Sequence, residues 1–554
     1  MSQNAHSEKY RFQTEDRRLL DLVIHSLYSE KDIFLRELIA NAADAISKAK
    51  YMRLQHPELS INPEFEVVIK CDPKNRCLVI SDNGIGMSKQ ELIDHLGVIA
   101  RSGTHDFLKD KNSSSEQSLN ELIGQFGVGF YSVFMVASSV DVISRSIHSD
   151  EAWQFHSDGQ GEFSISASER KTHGTTIIAH MKDDEYLHPY RIKHIVEKYS
   201  YYAPVSVYLE SEEQKHHDED SSEIESESTE NVSWKKEKIN ETQPLWLRSK
   251  NNIEEAEYIS FYKEVGKDYK DPLSWLHGKI EGSSDYTFLL YIPKDISLMA
   301  WQYQEKPSRV KLHVKHIFIT DDSLLLLPRY LSFISGIVDF QDLPLNVSRE
   351  LLQEHKTIER AKTALTKKVL SHLEDMSTKE TEKYNEFWSH FGQIFKMFPA
   401  EDPQLKEPIL PLLRFPSTVT GKGHWTSLSE YVSRMQPEQK VIYYITASTW
   451  DAAMNSPHMD YFKKKGIEVL LLTDRVDESL MNYLHAFEEK ELKSITLAEL
   501  DTLSNNDTQT EDDKNDWSDC CAALKHKLEG KVKDVKISSR LVDSPCCLVV
   551  DHSI

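Results

Sequence analysis

The sequence predicts a multidomain protein of mixed α+β and α/β type. Three observations carry that prediction. At 554 residues the chain exceeds what one hydrophobic core holds, so roughly three to four domains are expected. Stretches of helical and of strand periodicity alternate along most of it. Two acidic, polar breaks interrupt the pattern, at Ser211–Val232 and at Leu503–Asp516.

The elements follow in order. Glu15 to Lys50 reads as helix in two pieces meeting near Ser29. The first carries Leu19, Leu20, Val23, Ile24 and Leu27 on one face; the second carries Phe34, Leu35, Leu38, Ile39, Ala42 and Ile46. Ser29 followed by Asp32 fits a capping box loosely. Strands are expected at "FEVVIKC" and "RCLVIS". The second runs into "SDNGIGM", where an ordinary turn needs one glycine and this one has two, Gly84 and Gly86. Either something approaches the backbone closely beside the Asp82 carboxylate, or the turn is a bland one. A further helical patch and the Ser-rich "KDKNSSSEQSLNEL" come next, then "IGQFGVGFYSVFMVA", read as three glycines opening an apolar helix. Strands follow to "HGTTIIAHM".

Ser211–Val232 reads as a flexible charged linker. Its His-His-Asp-Glu-Asp run is a metal-ligand set by composition, but nothing in it fixes ligand geometry, which favours a solvated linker. A second folded region is expected from Trp234, mixing strands ("TFLLYIP", "VKLHVKHIFIT") with the helical "RELLQEHKTIERAKTALTKKVLSHLEDM". An α/β segment closes it, from "KVIYYITAS" through "GIEVLLLTDRVDESLMNYLHAF".

Charge narrows the function. The formal net charge is −23, which disfavours a dedicated nucleic-acid binder because phosphates are repelled at long range. "MSQNAHSEKYRFQ" has no apolar signal-peptide core, and the most apolar stretch, "SLLLLPRYLSFISGIV", is broken by Pro328 and Arg329. Six cysteines occur, with no CxxC zinc spacing: Cys71, Cys77, Cys520-Cys521 and Cys546-Cys547. This reads as a cytoplasmic protein with reduced thiols and no membrane attachment.

The chemistry lies in the first region. Glu37, Asn41 and Asp44 are spaced i, i+4, i+7 on the second helical piece, a polar stripe opposite its apolar face. A solvated surface would produce the same stripe, although Asn is a mediocre helix former. A carboxylate and an amide oxygen one turn apart suit a general base and a magnesium ligand among phosphates. No GxxxxGK[ST] run exists, so the phosphate cradle is not a P-loop. "GQFGVGF", with Gly124, Gly127 and Gly129, is the alternative.

Glu-x3-Asn, Asp-x-Gly-x-Gly and Gly-x2-Gly-x-Gly in that order resemble the gyrase, heat-shock protein 90, histidine kinase and mismatch-repair ATPases. "YSEKDIFLRELIANAADAISK", "SDNGIGMSKQELIDHLGVIARSGT", "IGQFGVGFYSVFMVA" and "DLPLNVSRELLQ" are similar to the heat-shock protein 90 chaperones, of the bacterial high-temperature protein G type. The resemblance runs from about Phe12 to the last residues.

It implies an ATP-binding α/β sandwich over residues 1–210, with a lid at about 97–124. It further implies a linker at 211–232, an α/β middle domain at 233–502 and an incomplete C-terminal domain at 503–554. It implies a magnesium-dependent ATPase that cycles between open and closed states and binds unfolded or partly folded clients. Glu37 would be the general base and Asn41 the magnesium ligand. Asp82 would accept from the adenine amino group, with Gly84 and Gly86 admitting the ring and Met87 packing near it. Asp44 and Thr175 would support that side, and Gly103 and Thr104 belong to the nucleotide-binding lid. Gly127, Val128, Gly129 and Phe130 would line the phosphates. Arg349 would reach the γ-phosphate, with Gln353 behind it. Met299 and Trp301 read equally as client contacts or as core.

The sequence departs from the family at His95, where Asn or Asp is usual. It also stops after "LEGKVKDVKISSRLVDSPCCLVVDHSI", where the family continues into dimerisation helices. A homodimer is therefore expected to be weakened or lost. That leaves an ATP-binding holdase with little turnover as the alternative to a cycling chaperone. A topoisomerase or histidine kinase fits less well, because no phosphoacceptor region is evident.

Overall fold

A computed structural model describes residues 28, 30–56, 64–98, 127–212, 234–282, 285–295, 309–343, 356–496, 518–537, 541 and 545–549. The chain divides into two compact units. One comprises Met1–Tyr291, Ser308–Ser323 and Ile334–Arg360; the other comprises Ile292–Pro307, Leu324–Phe333 and Ala361–Ile554.

The first unit opens with helix α1, Ile33–Gln55. All six apolar positions assigned to the second helical piece are buried. The polar stripe is not a solvated face, because Glu37 and Asp44 are buried as well. The loose capping box does not form at Asp32, which makes no side-chain cap, while Ser29 lies outside the described residues. A stronger donor takes the carboxylate: Arg191 grips Asp32 through Nη2 at 2.6 and 2.9 Å, and the Tyr186 hydroxyl adds a bond of 3.2 Å. The piece expected from Glu15 to Leu27 lies outside the described residues.

Strands β1 (Glu66–Asp72) and β2 (Cys77–Asp82) form a hairpin closed by Asp72, which accepts from the Asn75 main chain and side chain. Next come helix α2 (Lys89–Leu96), β3 (Ala137–Arg145), β4 (Ala152–Ser157), β5 (Phe163–Ser168), β6 (Gly174–Met181), α3 (Pro189–Tyr199), β7 (Ser206–Glu212) and β8 (Trp234–Lys238). The eight strands make one sheet, ordered β5-β4-β3-β6-β2-β1-β7-β8. The strand after the acidic stretch therefore pairs antiparallel with the strand before it. The acidic stretch itself, from residue 213, lies outside the described residues.

The glycine-rich segment does not open an apolar α-helix. Gly129–Met135 is a single 3₁₀ helix, and β3 starts two residues later. Phe130, Tyr131, Val133 and Phe134 are poor helix formers that all find core contacts, so packing against α1 replaces a longer helix.

The unit's second sheet is built after helix α4 (Glu255–Gly266) from β9 (Pro272–Ile280), β10 (Tyr286–Pro293), β11 (Arg309–Val314), β12 (Ile317–Thr320) and β13 (Ser335–Phe340). Its order is β12-β11-β13-β10-β9. Trp246, Tyr262 and Tyr291 anchor its core.

In the second unit, helix α5 (Lys356–Lys379), which belongs to it from Ala361 on, and helix α6 (Thr381–Phe395) precede a four-stranded sheet. Its strands are β14 (Val441–Thr446), β15 (Val469–Leu472), β16 (Ala486–Phe487) and β17 (Lys490–Ser494), in the order β15-β14-β17-β16. The buried Lys396 ammonium ties this unit internally, pairing with Asp474 and Asp477 at 2.7 Å each.

The six cysteines are free thiols. Among the described residues no helix is long and apolar enough to cross a membrane.

Candidate nucleotide site

The site forms where α1, the end of β2 and the Gly127–Phe130 turn meet. Strand periodicity aims its central carboxylate. Leu78 and Ile80 point from β2 into the core, and Asp82 is the next residue in that phase. Its Oδ1 accepts from the Gly84 N–H at 2.8 Å and the Thr175 N–H at 3.4 Å. No donor meets Oδ2 among the described residues. Burial pushes the Asp82 carboxyl up to about 6; the two backbone bonds and the Arg170 charge oppose that rise.

The two turn glycines have a structural explanation. A Cβ on Gly84 would stand 2.6 Å from the Ala45 carbonyl carbon. Gly86 has φ +66°, and its Cβ would stand 1.8 Å from the Arg145 carbonyl oxygen. Ile85 between them donates to the Ala45 carbonyl at 3.0 Å and accepts from the Ile147 N–H at 2.8 Å. What approaches the backbone at these glycines is the chain itself, at Ala45 and Arg145. The turn is thereby clamped between helix and sheet.

Neighbouring groups are tied into the same frame. The Met87 N–H donates to Ser144 Oγ at 2.8 Å, and Ser144 Oγ shares a hydrogen bond of 2.9 Å with Thr175 Oγ1. Strand register makes that pair, since Ser144 lies opposite Thr175 across β3 and β6.

On α1, Glu37 is buried and its Oε1 accepts from Arg36 Nε at 3.1 Å and Nη2 at 2.9 Å. Its other oxygen faces the glycine turn: a Cβ on Gly129 would lie 2.6 Å from Glu37 Oε2. A side chain at Gly129 would force the Glu37 carboxylate to shift. Gly127 adopts φ +66° and turns the chain into the 3₁₀ helix, with Val128 and Phe130 buried on either side of Gly129. Asn41 is half-buried, and no hydrogen bond engages its amide among the described residues. Asp44 is buried one turn from Lys48, whose ammonium is held below its usual range by burial, against the charges of Asp44 and Glu91. His95 is half-buried in the last turn of α2.

Glu37, Asn41, Asp44, Asp82, Gly86, Met87, Gly127, Val128, Gly129, Phe130 and Thr175 thus lie on the elements that meet here. Gly103, Thr104, Gly124, Arg349, Gln353, Met299 and Trp301 lie outside the described residues, as does the lid from residue 99 to 124. Sequence reasoning missed Arg36, Ser144 and Arg170. Arg36 had a signal, a cation amid the apolar run "FLRELIA". Ser144 and Arg170 had none, because strand pairing brings Ser144 to Thr175 and the turn before β6 brings Arg170 to Asp82.

The donor set suits a purine nucleotide. Asp82 Oδ2 offers an acceptor to an exocyclic amine, and the Asn41 amide offers an oxygen to a hard cation. Among the described residues no cluster of three His, Cys, Asp or Glu side chains holds a metal on its own. A magnesium ion would need the phosphates as co-ligands.

This fold and this polar arrangement define a class of nucleotide-binding ATPase domain. Residues 28–180 match the family model for the histidine kinase-, DNA gyrase B- and HSP90-like ATPases. Residues 208–553 match the Hsp90 protein family. Curated relatives named chaperone protein HtpG align with nearly all of the chain. The protein from Bordetella avium is 42% identical over 561 residues, covering 100% of this chain and 87% of its own. That from Burkholderia ambifaria is 44% identical, covering 99% and 87%, and that from Vibrio parahaemolyticus 44%, covering 100% and 86%. The chain belongs to the Hsp90 family.

Proposed function

We propose that this protein is an ATP-dependent molecular chaperone. The carrying observation is that Glu37 and Asp82, two buried carboxylates, stand on the helix and the strand end that meet beside the glycine turn. Glu37 Oε2 faces Gly129 of the glycine turn, and Asp82 Oδ2 lacks a donor among the described residues. Family membership and the relatives' names support the same reading.

In this reading Asp82 accepts from the adenine amine and Met87, fixed through Ser144, borders the ring. Gly127, Val128, Gly129 and Phe130 border the phosphates. Asn41 ligates magnesium, which when bound neutralises phosphate charge. Glu37, held by Arg36, orients a water and takes its proton. Asp44, Gly103, Thr104 and Thr175 support the nucleotide, while Arg349 and Gln353 act at the γ-phosphate. The ATP-binding region comprises residues 1–210 and the strand 234–238, with a lid at 97–124. The linker, the middle domain to 502 and a C-terminal portion from 503 follow. Lid closure and reopening drive the grip on unfolded or partly folded clients, and a homodimer, if formed, is weak. A cytoplasmic location accords with six free thiols.

Glu37→Ala is the test. ATP binding should persist while hydrolysis falls by about 10²–10⁴. Equal loss of binding and turnover would make Glu37 a structural residue instead.

A further inference from the structure

A cavity of about 800 Å³ lies behind Asp82, lined by residues from three places. Glu66, Ser81 and Asn83 come from β1 and the end of β2, Arg145 from the end of β3, and Arg170 and Lys171 from the turn before β6. Neither α1 nor the glycine turn contributes to it. It is distinct from the place where α1 meets the glycine turn but shares Asp82 with the nucleotide site.

Its charges are unevenly compensated. Arg145 pairs with Asp150, and Glu66 pairs with Lys236 at 2.7 Å. Arg170 meets only neutral acceptors: the Thr172 carbonyl at 3.0 Å, the Asp82 carbonyl at 2.8 Å and the Thr176 hydroxyl. No carboxylate lies within ion-pair distance of it among the described residues. Burial lowers the Arg170 guanidinium from its usual range, and the Asp82 charge opposes that without outweighing it, so the cation is only partly compensated. Lys171 stands exposed at the rim, and His148 and His173 add further nitrogen groups to the lining.

We propose that this cavity binds a small oxyanion, the phosphate or carboxylate group of a low-molecular-weight solute, through Arg170 and Lys171, and that its occupancy weakens adenine binding at Asp82. The first half stands on the cavity and its unmatched cation. The second rests on the nucleotide reading given above. Arg170 is fastened to the same residue, donating to the Asp82 carbonyl at 2.8 Å, and from there its field favours the ionised Asp82 carboxylate. An anion paired with Arg170 offsets that field, so Asp82 takes up a proton more readily and ceases to be an acceptor on both oxygens. Coupling is reciprocal, so nucleotide must weaken the anion to the same degree.

Calorimetry on the full chain at constant ionic strength, with pyrophosphate and separately with citrate as probes, gives the test. One site is expected, with affinity about tenfold weaker in Lys171→Gln and weaker still in Arg170→Gln. Lys171 is exposed, so its variant tests the site even if Arg170→Gln fails to fold. Binding of citrate alone or pyrophosphate alone would assign the site to that one anion class. Unchanged affinity in Lys171→Gln, or no binding of either probe at millimolar concentration, overturns the site. ATP affinity should fall about fivefold at saturating anion. An unchanged ATP affinity with the anion bound overturns the coupling and leaves the site. Should Asp82 prove uninvolved with nucleotide, the anion titrations still read out.

Discussion

Asp82 and Asp339 are both buried carboxylates in the first unit, and they titrate in opposite directions. Asp82 lies at the end of β2 with Oδ1 engaged by two backbone N–H groups. Burial wins there, and its carboxyl is pushed up to about 6. Asp339 lies in β13 with both oxygens filled. Oδ1 accepts from the His316 N–H at 3.1 Å; Oδ2 accepts from His316 Nδ1 at 2.5 Å and from Trp246 Nε1 at 2.9 Å. Burial raises Asp339 too, but the His316 bond and the His316 and His313 charges outweigh it and hold the carboxyl below its usual range. Equal burial therefore has opposite consequences, depending on whether the protein satisfies the carboxylate. Asp339 is a structural group. Asp82 is left short of donors, which is the condition of a ligand-binding group.

The largest expected effect is on Asp339. Asp339→Ala should cost about 3–5 kcal/mol at neutral pH, because it strands the His316 and Trp246 donors in the core. Denaturant unfolding of the first unit measures it. A loss below about 1 kcal/mol would end the contrast with Asp82.

Asp82→Asn should do the reverse to stability. The folded carboxyl titrates near 6, above an unfolded value of roughly 3.9. Between those values the native state holds the extra proton, so its contribution falls as pH rises, and the full penalty is present above about pH 6. Removing the charge should therefore stabilise the protein at pH 7, on the order of 2–3 kcal/mol, with little change at pH 4. Adenine nucleotides should bind roughly tenfold to over a hundredfold more weakly. Asp339 has the opposite sign: its stabilisation is present above the unfolded value and is lost as pH falls through its lower folded value.

A smaller effect follows from the same titration. Adenosine affinity should fall about tenfold between pH 7 and pH 5, as Asp82 protonates through about 6. A flat profile by fluorescence or calorimetry would remove Asp82 from adenine recognition. Smallest is Thr175→Val. It deletes the hydroxyl bond to Ser144 but keeps the N–H to Asp82, so thermal unfolding should report a loss of about 0.5–1.5 kcal/mol.

Much of this was legible in the chain. The period of Phe34, Leu35, Leu38, Ile39, Ala42 and Ile46 announced α1, and "FEVVIKC" and "RCLVIS" announced β1 and β2 within a residue or two. Strand phase even set the side on which Asp82 emerges. The apolar helix after the glycines was misread because Val and aromatic residues pack equally well from a 3₁₀ turn. The polar stripe on α1 was ambiguous because a helix reports its own face but not what covers it.

The sequence by itself determined the elements whose periodicity lies within a few residues, and the motif order that placed the chain in its family. Backbone geometry makes those signals local. Tertiary structure alone decided which groups meet. Gly129 reaches Glu37, Ser144 meets Thr175 across paired strands, and Trp246 reaches Asp339 from 93 residues away. It decided the charge states as well. A carboxyl titrates by the burial and donors that distant segments impose, so two aspartates alike in sequence become an open acceptor at Asp82 and a satisfied one at Asp339.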